Sequence, residues 1–496
     1  MSEEMASEQS QFHSVHLHED KCKGCTICVT GCPVEAIRVH DGKAHILEEV
    51  CIDCGECIRN CPNKAKYTSS SEIDELKQYD ISAALVTPAI YGQFNLHYSV
   101  EQIHEALKLL GFDEVFDVAP DALKVSRATA RILETYNEEG RKYPQLAKPF
   151  ISSSCPTVIK LIQVRYPALL DNLLPLLPPV EVTARRARRA MAERAGKNKK
   201  VGIFLISPCS AKITVSRSPV GYDNTAMDGA FSFSSLYLPV LTELRKLREE
   251  EKADIAKKAG CAVDDVRTAP STADVVYDEN APVAPAFYTD APDGLAWGRE
   301  SGEAEYIARF LRHPEKFNWI TCCGLTQIKE TLEAIEDGQM KDYDFAEIAA
   351  CSGGCLGGPL QIRPVSESAA ILRNRLRNRK PQEIEAAKKR DDEIKKQKAS
   401  EGGQSAGDES VVLDLDIAPR PARQLSSDFG EARRMMEQLE EIADQLPGLD
   451  CGSCGAPNCR ALAEDIVRGK AHLEDCVTIM KSRYEDLLFG KQRSKK

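Results

Sequence analysis

The residues of this chain best suited to chemistry are its nineteen cysteines. The lead, "MSEEMASEQS", is acidic and lacks the apolar core of a secretory signal,. A cytoplasmic protein is therefore expected, and disulfides rarely persist in that compartment. Cysteines in such number then read as metal ligands, and their spacing says which. Eight fall between Cys22 and Cys61, and four between Cys451 and Cys476. Cys155, Cys209, Cys351 and Cys355 each follow an apolar run. Cys261, Cys322 and Cys323 fit neither pattern.

The first group is two copies of one pattern, "CKGCTICVTGCP" and "CIDCGECIRNCP". This C-x2-C-x2-C-x3-C-P run is that of bacterial ferredoxins, in which the fourth cysteine of each copy ligates the other copy's cluster. Cys22, Cys25, Cys28 and Cys61 are expected to hold one four-iron cluster, and Cys51, Cys54, Cys57 and Cys32 a second. The uniform triple spacing disfavours zinc, whose ligands come in separated pairs. With no catalytic residues nearby, two such clusters form an electron wire.

The elements that must position the other cysteines alternate. Strand candidates ("ISAALVTPAI", "VGIFLIS", "FNWIT", "FAEIAA") are interleaved with helical stretches ("SVEQIHEALKLLGF", "GLTQIKETLEAIE") from about residue 80 to 378, which reads as an α/β domain. "KPFISSSCP", "VGIFLISPCSAK" and "FAEIAACSGGC" then place Cys155, Cys209, Cys351 and Cys355 at strand ends, where ligand sites of α/β sheets gather. Gly353 and Gly354 permit tight backbone approach, so that Cys351 and Cys355 reach one object from one loop,. Four buried structural cysteines are the competing reading.

This ordered set, with "ACSGGCLGG" closing it after a ferredoxin module, resembles the H-cluster domain of the iron-only (diiron) hydrogenases over about residues 15–378. The resemblance implies that Cys155, Cys209, Cys351 and Cys355 bind a four-iron cluster. Cys355 would bridge it to a diiron unit with carbonyl, cyanide and dithiolate ligands. Lys212 matches the family lysine that contacts a cyanide, and Pro88 and Ala89 match backbone positions near the other. The departures matter equally. Ser154 stands where active members carry a proton-relaying cysteine, Ser207 where a methionine is usual, and Val215 where a relay glutamate is expected. A serine hydroxyl is far less acidic than a thiol, so slow turnover or a different proton route is expected. The pattern is similar to the subgroup proposed to be sensory, which shares a C-terminal cysteine domain.

That domain follows a charged, Gly/Ser-containing linker (379–425) and a helix announced by Asp428 and Glu431, with Met435, Leu439, Ile442 and Leu446 on one face,. Cys451, Cys454, Cys459 and Cys476 space as C-x2-C-x4-C-x16-C. They are similar to the single four-iron domain of corrinoid iron–sulfur proteins and membrane-linked electron-transfer subunits. Four-cysteine zinc stays open.

The expected fold is thus an α/β catalytic domain (80–378) with strand-end cluster loops. It is flanked by a 2x(4Fe-4S) ferredoxin-like module (1–75) and a small helical iron–sulfur domain (426–496). The expected function is an oxygen-avoiding hydrogenase that interconverts H2 with protons and electrons, slow and sensory. Its redox partner would be a ferredoxin or a signalling protein. The alternative is a non-catalytic electron-transfer or cluster-assembly protein without the diiron unit. Net charge −11 disfavours nucleic acid,, and no apolar run is long enough to span a membrane. No phosphate-cradling glycine–lysine loop or dinucleotide fingerprint is present. Cys322 and Cys323 read as a packed strand-end pair, with supply of the missing thiol to the cluster as the alternative, and Cys261 as a free thiol. His13, His16 and His18 read as an exposed polar segment, and "ARRARRAMAERAGKNKK" as a solvated helix face,.

Overall fold

The computed structural model describes residues 12–138, 142–196, 198–259, 294–377, 411–420 and 423–493. Cys261 with its Pro/Asp/Ala-rich surroundings, the first eleven residues and most of the charged linker lie outside them. The chain divides into two compact units.

One unit comprises Val15–Ser69, Leu161–Pro167 and Pro419–Lys496. Strand β1 (Val15–Leu17) will be joined by a later partner, while β2 (Ile37–His40) and β3 (Lys43–Ile46) form a hairpin closed by Asp41 and Gly42. Both turn residues have positive φ, 51° and 71°, the geometry that Asp-Gly favours between twisted strands. Strand β4 (Lys66–Thr68) pairs antiparallel with β1. That pairing changes the reading of two lead histidines: His18 stacks on Tyr67 with centroids 4.0 Å apart, and His16 Nε2 lies 3.1 Å from Ser69 Oγ. His13, which belongs to the other unit, is buried. The three are not an exposed segment. The helices Phe429–Gln445, Cys459–Val467 and Val477–Arg493 complete this unit. Asp428 caps the first by accepting from Glu431 N at 2.7 Å, as its spacing foretold.

The other unit, Met1–Ser14, Ser70–Lys160 and Ala168–Ala418, is α/β. Its strands are, in chain order, β5 (Ile81–Val86), β6 (Glu114–Asp117), β7 (Phe150–Ile151), β8 (Val201–Ser207), β9 (Gly229–Ser232), β10 (Trp319–Cys323) and β11 (Phe345–Ala349). The larger sheet is parallel in the order β6-β5-β8-β9. A smaller parallel sheet runs β10-β11-β7. Every residue of β8 is buried, which is why it reads as a continuous apolar run rather than an alternating one.

The helix Pro179–Ala195 carries the arginine-rich stretch. Its arginines do more than coat a solvated face. Arg186 pairs with the buried Asp121, Arg185 with the buried Glu181 and with Asp414, and Arg188 with Asp228. Within the stretch of linker composition, Val411 is buried, Leu177 N donates to its carbonyl at 2.7 Å, and Leu413 N donates to Pro175 O at 3.1 Å. Among the described residues no helix is long and apolar enough to cross a membrane.

Candidate metal centres

In the ferredoxin-like module the cysteines sort into the two expected quartets. A pocket is lined by Cys22, Cys25, Cys28 and Cys61. Burial, and then the neighbouring thiols of Cys25, Cys22 and Cys61, push the Cys28 thiol up. Cys51, Cys54 and Cys57 gather instead around Cys32, and burial lifts all of them, Cys57 to about 12. The four thiols of this second quartet, packed together out of water, are poor anions by themselves. A soft cationic cluster is what such a donor set accommodates.

The C-terminal quartet also gathers: Cys451, Cys454, Cys459 and Cys476 line one pocket, with Cys451 exposed and Cys476 buried. Asn458 accepts from Ala461 N at 2.7 Å and so starts the helix that carries Cys459,. Its loop is docked on β2 within the same unit. Val39 N donates to Gly455 O at 2.9 Å. Gly455 has φ +88°, and a Cβ there would meet Val39 O at 2.0 Å, so only glycine fits. Alongside, the Arg38 guanidinium grips the Asp465 carboxylate, both side chains under 10% exposed. Asp465→Ala would leave Arg38 buried and unpaired, at a cost of about 3–5 kcal/mol. The expected result is earlier unfolding of 429–493 in denaturant and faster amide exchange at Val39. Gly455→Val should give the same pattern.

In the α/β unit the cysteine loops sit at carboxyl ends of strands. Val86 and Ile206 are register partners on adjacent β5 and β8, so Pro88 and Ala89, both buried, emerge beside the loop of Cys209. Phe150 and Phe345 are partners on β7 and β11, so the loops of Cys155 and Cys351 emerge together. The Cys351–Cys355 loop is fixed by contacts that tolerate no side chain. Cys355 N donates to Gly298 O at 2.8 Å, and a Cβ on Gly354 (φ +70°) would meet that oxygen at 2.7 Å. Leu360 N donates to Pro208 O at 3.0 Å, which ties this loop to that of Cys209. This is the physical reason for the Ser-Gly-Gly step.

Lys212 is buried, and its Nζ lies 3.3 Å from Cys355 Sγ. Burial alone would lower the ammonium's affinity for its proton, yet Cys355, Cys209 and Cys155 together hold it well above the ordinary value. Burial raises Cys209 to about 11, with Lys212 opposing. A buried cation ringed by thiols fits an anionic metal centre. Ser207 shapes the turn that presents Cys209, since its hydroxyl donates to Cys209 O at 2.7 Å and accepts from Cys209 N at 3.2 Å. Val215 is packed in the interior.

Two carboxylates here escape sequence reasoning. Glu303, buried in the first turn of the helix Gly302–Phe310, accepts from Ser152 Oγ at 2.7 Å and from Ser154 Oγ at 3.4 Å. Burial pushes it up to about 7, against the pull of both serines. Glu347, in the middle of β11, accepts from Ala304 N at 2.8 Å, and burial and then the charge of Glu303 raise it far above the carboxylate range. A lone acid inside the apolar run "FAEIAA" was the available signal. Cys322 is buried and receives the Thr331 hydroxyl at 3.3 Å. Cys323 lies against the backbone of Gly354, and burial, then Glu300, lift it to about 12.

Comparison with known proteins gives a consistent picture. A model of the "Iron only hydrogenase large subunit, C-terminal domain" matches residues 80–359. A 4Fe-4S dicluster model matches 14–62, and an Fe-S cluster model matches 446–478. Iron hydrogenase 1 of Clostridium pasteurianum is 24% identical over 291 residues, covering 56% of this chain and 48% of that protein. The chain thus spans about half the length of that curated relative. One component of the ion-translocating oxidoreductase complex of Rhodobacter capsulatus is 50% identical over 38 residues, 8% of this chain and 20% of that protein. A variant of the FeFe-hydrogenase HydA1 from Chlamydomonas reinhardtii aligns at 17% identity over 70% of this chain and 98% of its own, with a TM-score of 0.43. Since the first of these family matches alone covers more than half of the sequence, the chain belongs to the iron-only hydrogenase large-subunit family.

Proposed function

We propose that the α/β unit is the hydrogen-handling centre, with Cys155, Cys209, Cys351 and Cys355 holding a four-iron cluster and Cys355 shared with a diiron unit bearing carbonyl, cyanide and dithiolate ligands. When bound, that group supplies the heterolytic splitting and formation of H2. The observation that carries this reading is the buried Lys212 ammonium at 3.3 Å from Cys355 Sγ, with the Cys155 and Cys209 thiols also beside it. Lys212 offers a compact point charge and a donor to an anionic ligand. Pro88 and Ala89 wall the same strand ends. The two N-terminal quartets and the C-terminal quartet hold accessory four-iron clusters that pass electrons to a redox partner, a ferredoxin or a signalling protein.

Proton handling rests on Ser154. Its hydroxyl does not ionise near neutrality, but it donates toward Glu303, whose carboxyl is poised near 7. A general base works best with a pKa near the operating pH. Ser154 can therefore pass a proton by exchanging hydrogen bonds while Glu303 takes it up. This route is slower than one through an ionisable thiol, and it suits a sensor better than a bulk producer.

The test is isotope exchange between D2 and water, using anaerobic protein matured with a diiron precursor. Slow exchange above the buffer level, abolished by Cys355→Ser, is expected. Absence of exchange in protein with its full iron content would leave an electron carrier.

A further inference from the structure

The ferredoxin-like module buries a positive charge that cluster ligation does not require. Lys66, the first residue of β4, is 4% exposed, and its Nζ is buried with no hydrogen-bond partner among the described residues. It lines the cavity formed by Cys22, Cys25, Cys28 and Cys61. Strand pairing puts it there: Lys66 is the register partner of Leu17, which lines the same cavity, while the next residue, Tyr67, packs on His18. The ammonium is close enough to Cys28 and Cys61 of that quartet, and to Cys57 of the other, to favour the ionised form of each.

A buried ammonium without a partner is costly and persists only where a counter-charge meets it. Among the described residues no carboxylate lies at hydrogen-bond distance of it. Two four-thiolate iron clusters would supply the charge, and each becomes more negative by one unit on reduction. Net charge and local electrostatics set the potentials of such clusters.

We propose that Lys66 sets the potentials of both N-terminal clusters, favouring their reduced forms, and acts most strongly on the cluster held by Cys22, Cys25, Cys28 and Cys61. The step is a reversible one-electron reduction of each cluster, with no bond made or broken. If the hydrogen chemistry proposed above holds, raised potentials let electrons leave that centre downhill, which biases the chain toward uptake of H2. The electrostatic claim itself does not depend on that chemistry.

The experiment is a redox titration followed by electron paramagnetic resonance. It uses the full chain carrying its accessory clusters, with a chemical reductant and mediators in place of H2. Lys66→Met should move the midpoints of both N-terminal clusters to more negative values, the first cluster further. The C-terminal cluster, whose cavity Lys66 does not line, should stay in place. Lys66→Arg should restore the wild-type values. Unchanged midpoints in Lys66→Met, or an equal shift of all three clusters, would overturn the proposal. If Lys66→Met does not load its clusters, Lys66→Gln, neutral and polar, decides: wild-type midpoints there refute the assignment, and a negative shift supports it.

Discussion

Lys212→Met is expected to lower H2-dependent turnover by on the order of 100-fold or more, the scale seen when one preorganised donor is removed from a reacting centre. The substitution keeps much of the length and bulk of the side chain and deletes its charge and its N–H donors. In the wild-type chain that charge faces the thiols of Cys355, Cys209 and Cys155 in a buried site. Removing one side of a buried charge set typically costs about 3–5 kcal/mol, because the other side stays buried and uncompensated. Retention of the diiron unit should fall with the activity, while iron bound by the N-terminal and C-terminal quartets should be unchanged. Lys212→Arg should not rescue fully, since a planar fork cannot occupy the place of a compact ammonium. Full activity in Lys212→Met would remove the lysine from the mechanism.

Glu303→Gln has the second-largest expected effect, on rate and on the pH dependence of stability. If Glu303 takes the proton that Ser154 passes on, its loss should slow turnover by about 100-fold or more. The stability effect has a definite sign. Burial raises the Glu303 carboxyl from an ordinary 4.5 to about 7. Between these values the folded chain keeps a proton that the unfolded chain has lost. Stability therefore falls as pH rises from about 4.5 to about 7 and is level above that. The shift corresponds to about 3 kcal/mol. Glu347, raised in the same direction by burial and by Glu303, adds to the slope. Urea unfolding of the metal-free chain at pH 5 and pH 8 should show a smaller difference for Glu303→Gln than for wild type. Equal differences would mean that Glu303 is ionised in the fold.

The strand-end placement of Cys155, Cys209 and Cys351 was legible because it needs only local signals. An apolar run predicts a buried strand, the cysteine after it predicts the loop, and β8 and β11 bear this out at Cys209 and Cys351. The two ferredoxin-like quartets were legible for the same reason, since their spacing is itself the geometry. Residues whose role depends on a distant partner were not. Glu303 has the signature of an ordinary acidic first turn, and nothing local announces that it is buried and bonded to Ser152, far away in sequence. Lys66 looks like one more polar residue after "CPNKA", until pairing with β1 turns it inward. Arg186 reads as a surface charge until Asp121 appears beneath it. The position of the C-terminal module on β2 rests on Gly455 and on the Arg38–Asp465 pair, and no periodicity announces either.

The central claim is that the α/β unit holds a diiron centre sharing Cys355. The most direct measurement is an infrared spectrum of anaerobic, precursor-matured protein in the metal-carbonyl and cyanide region. Sharp bands that shift when H2 is added, and that vanish in Cys355→Ser, are the expected result. A blank region, with iron sufficient only for simple four-iron clusters, would contradict the claim.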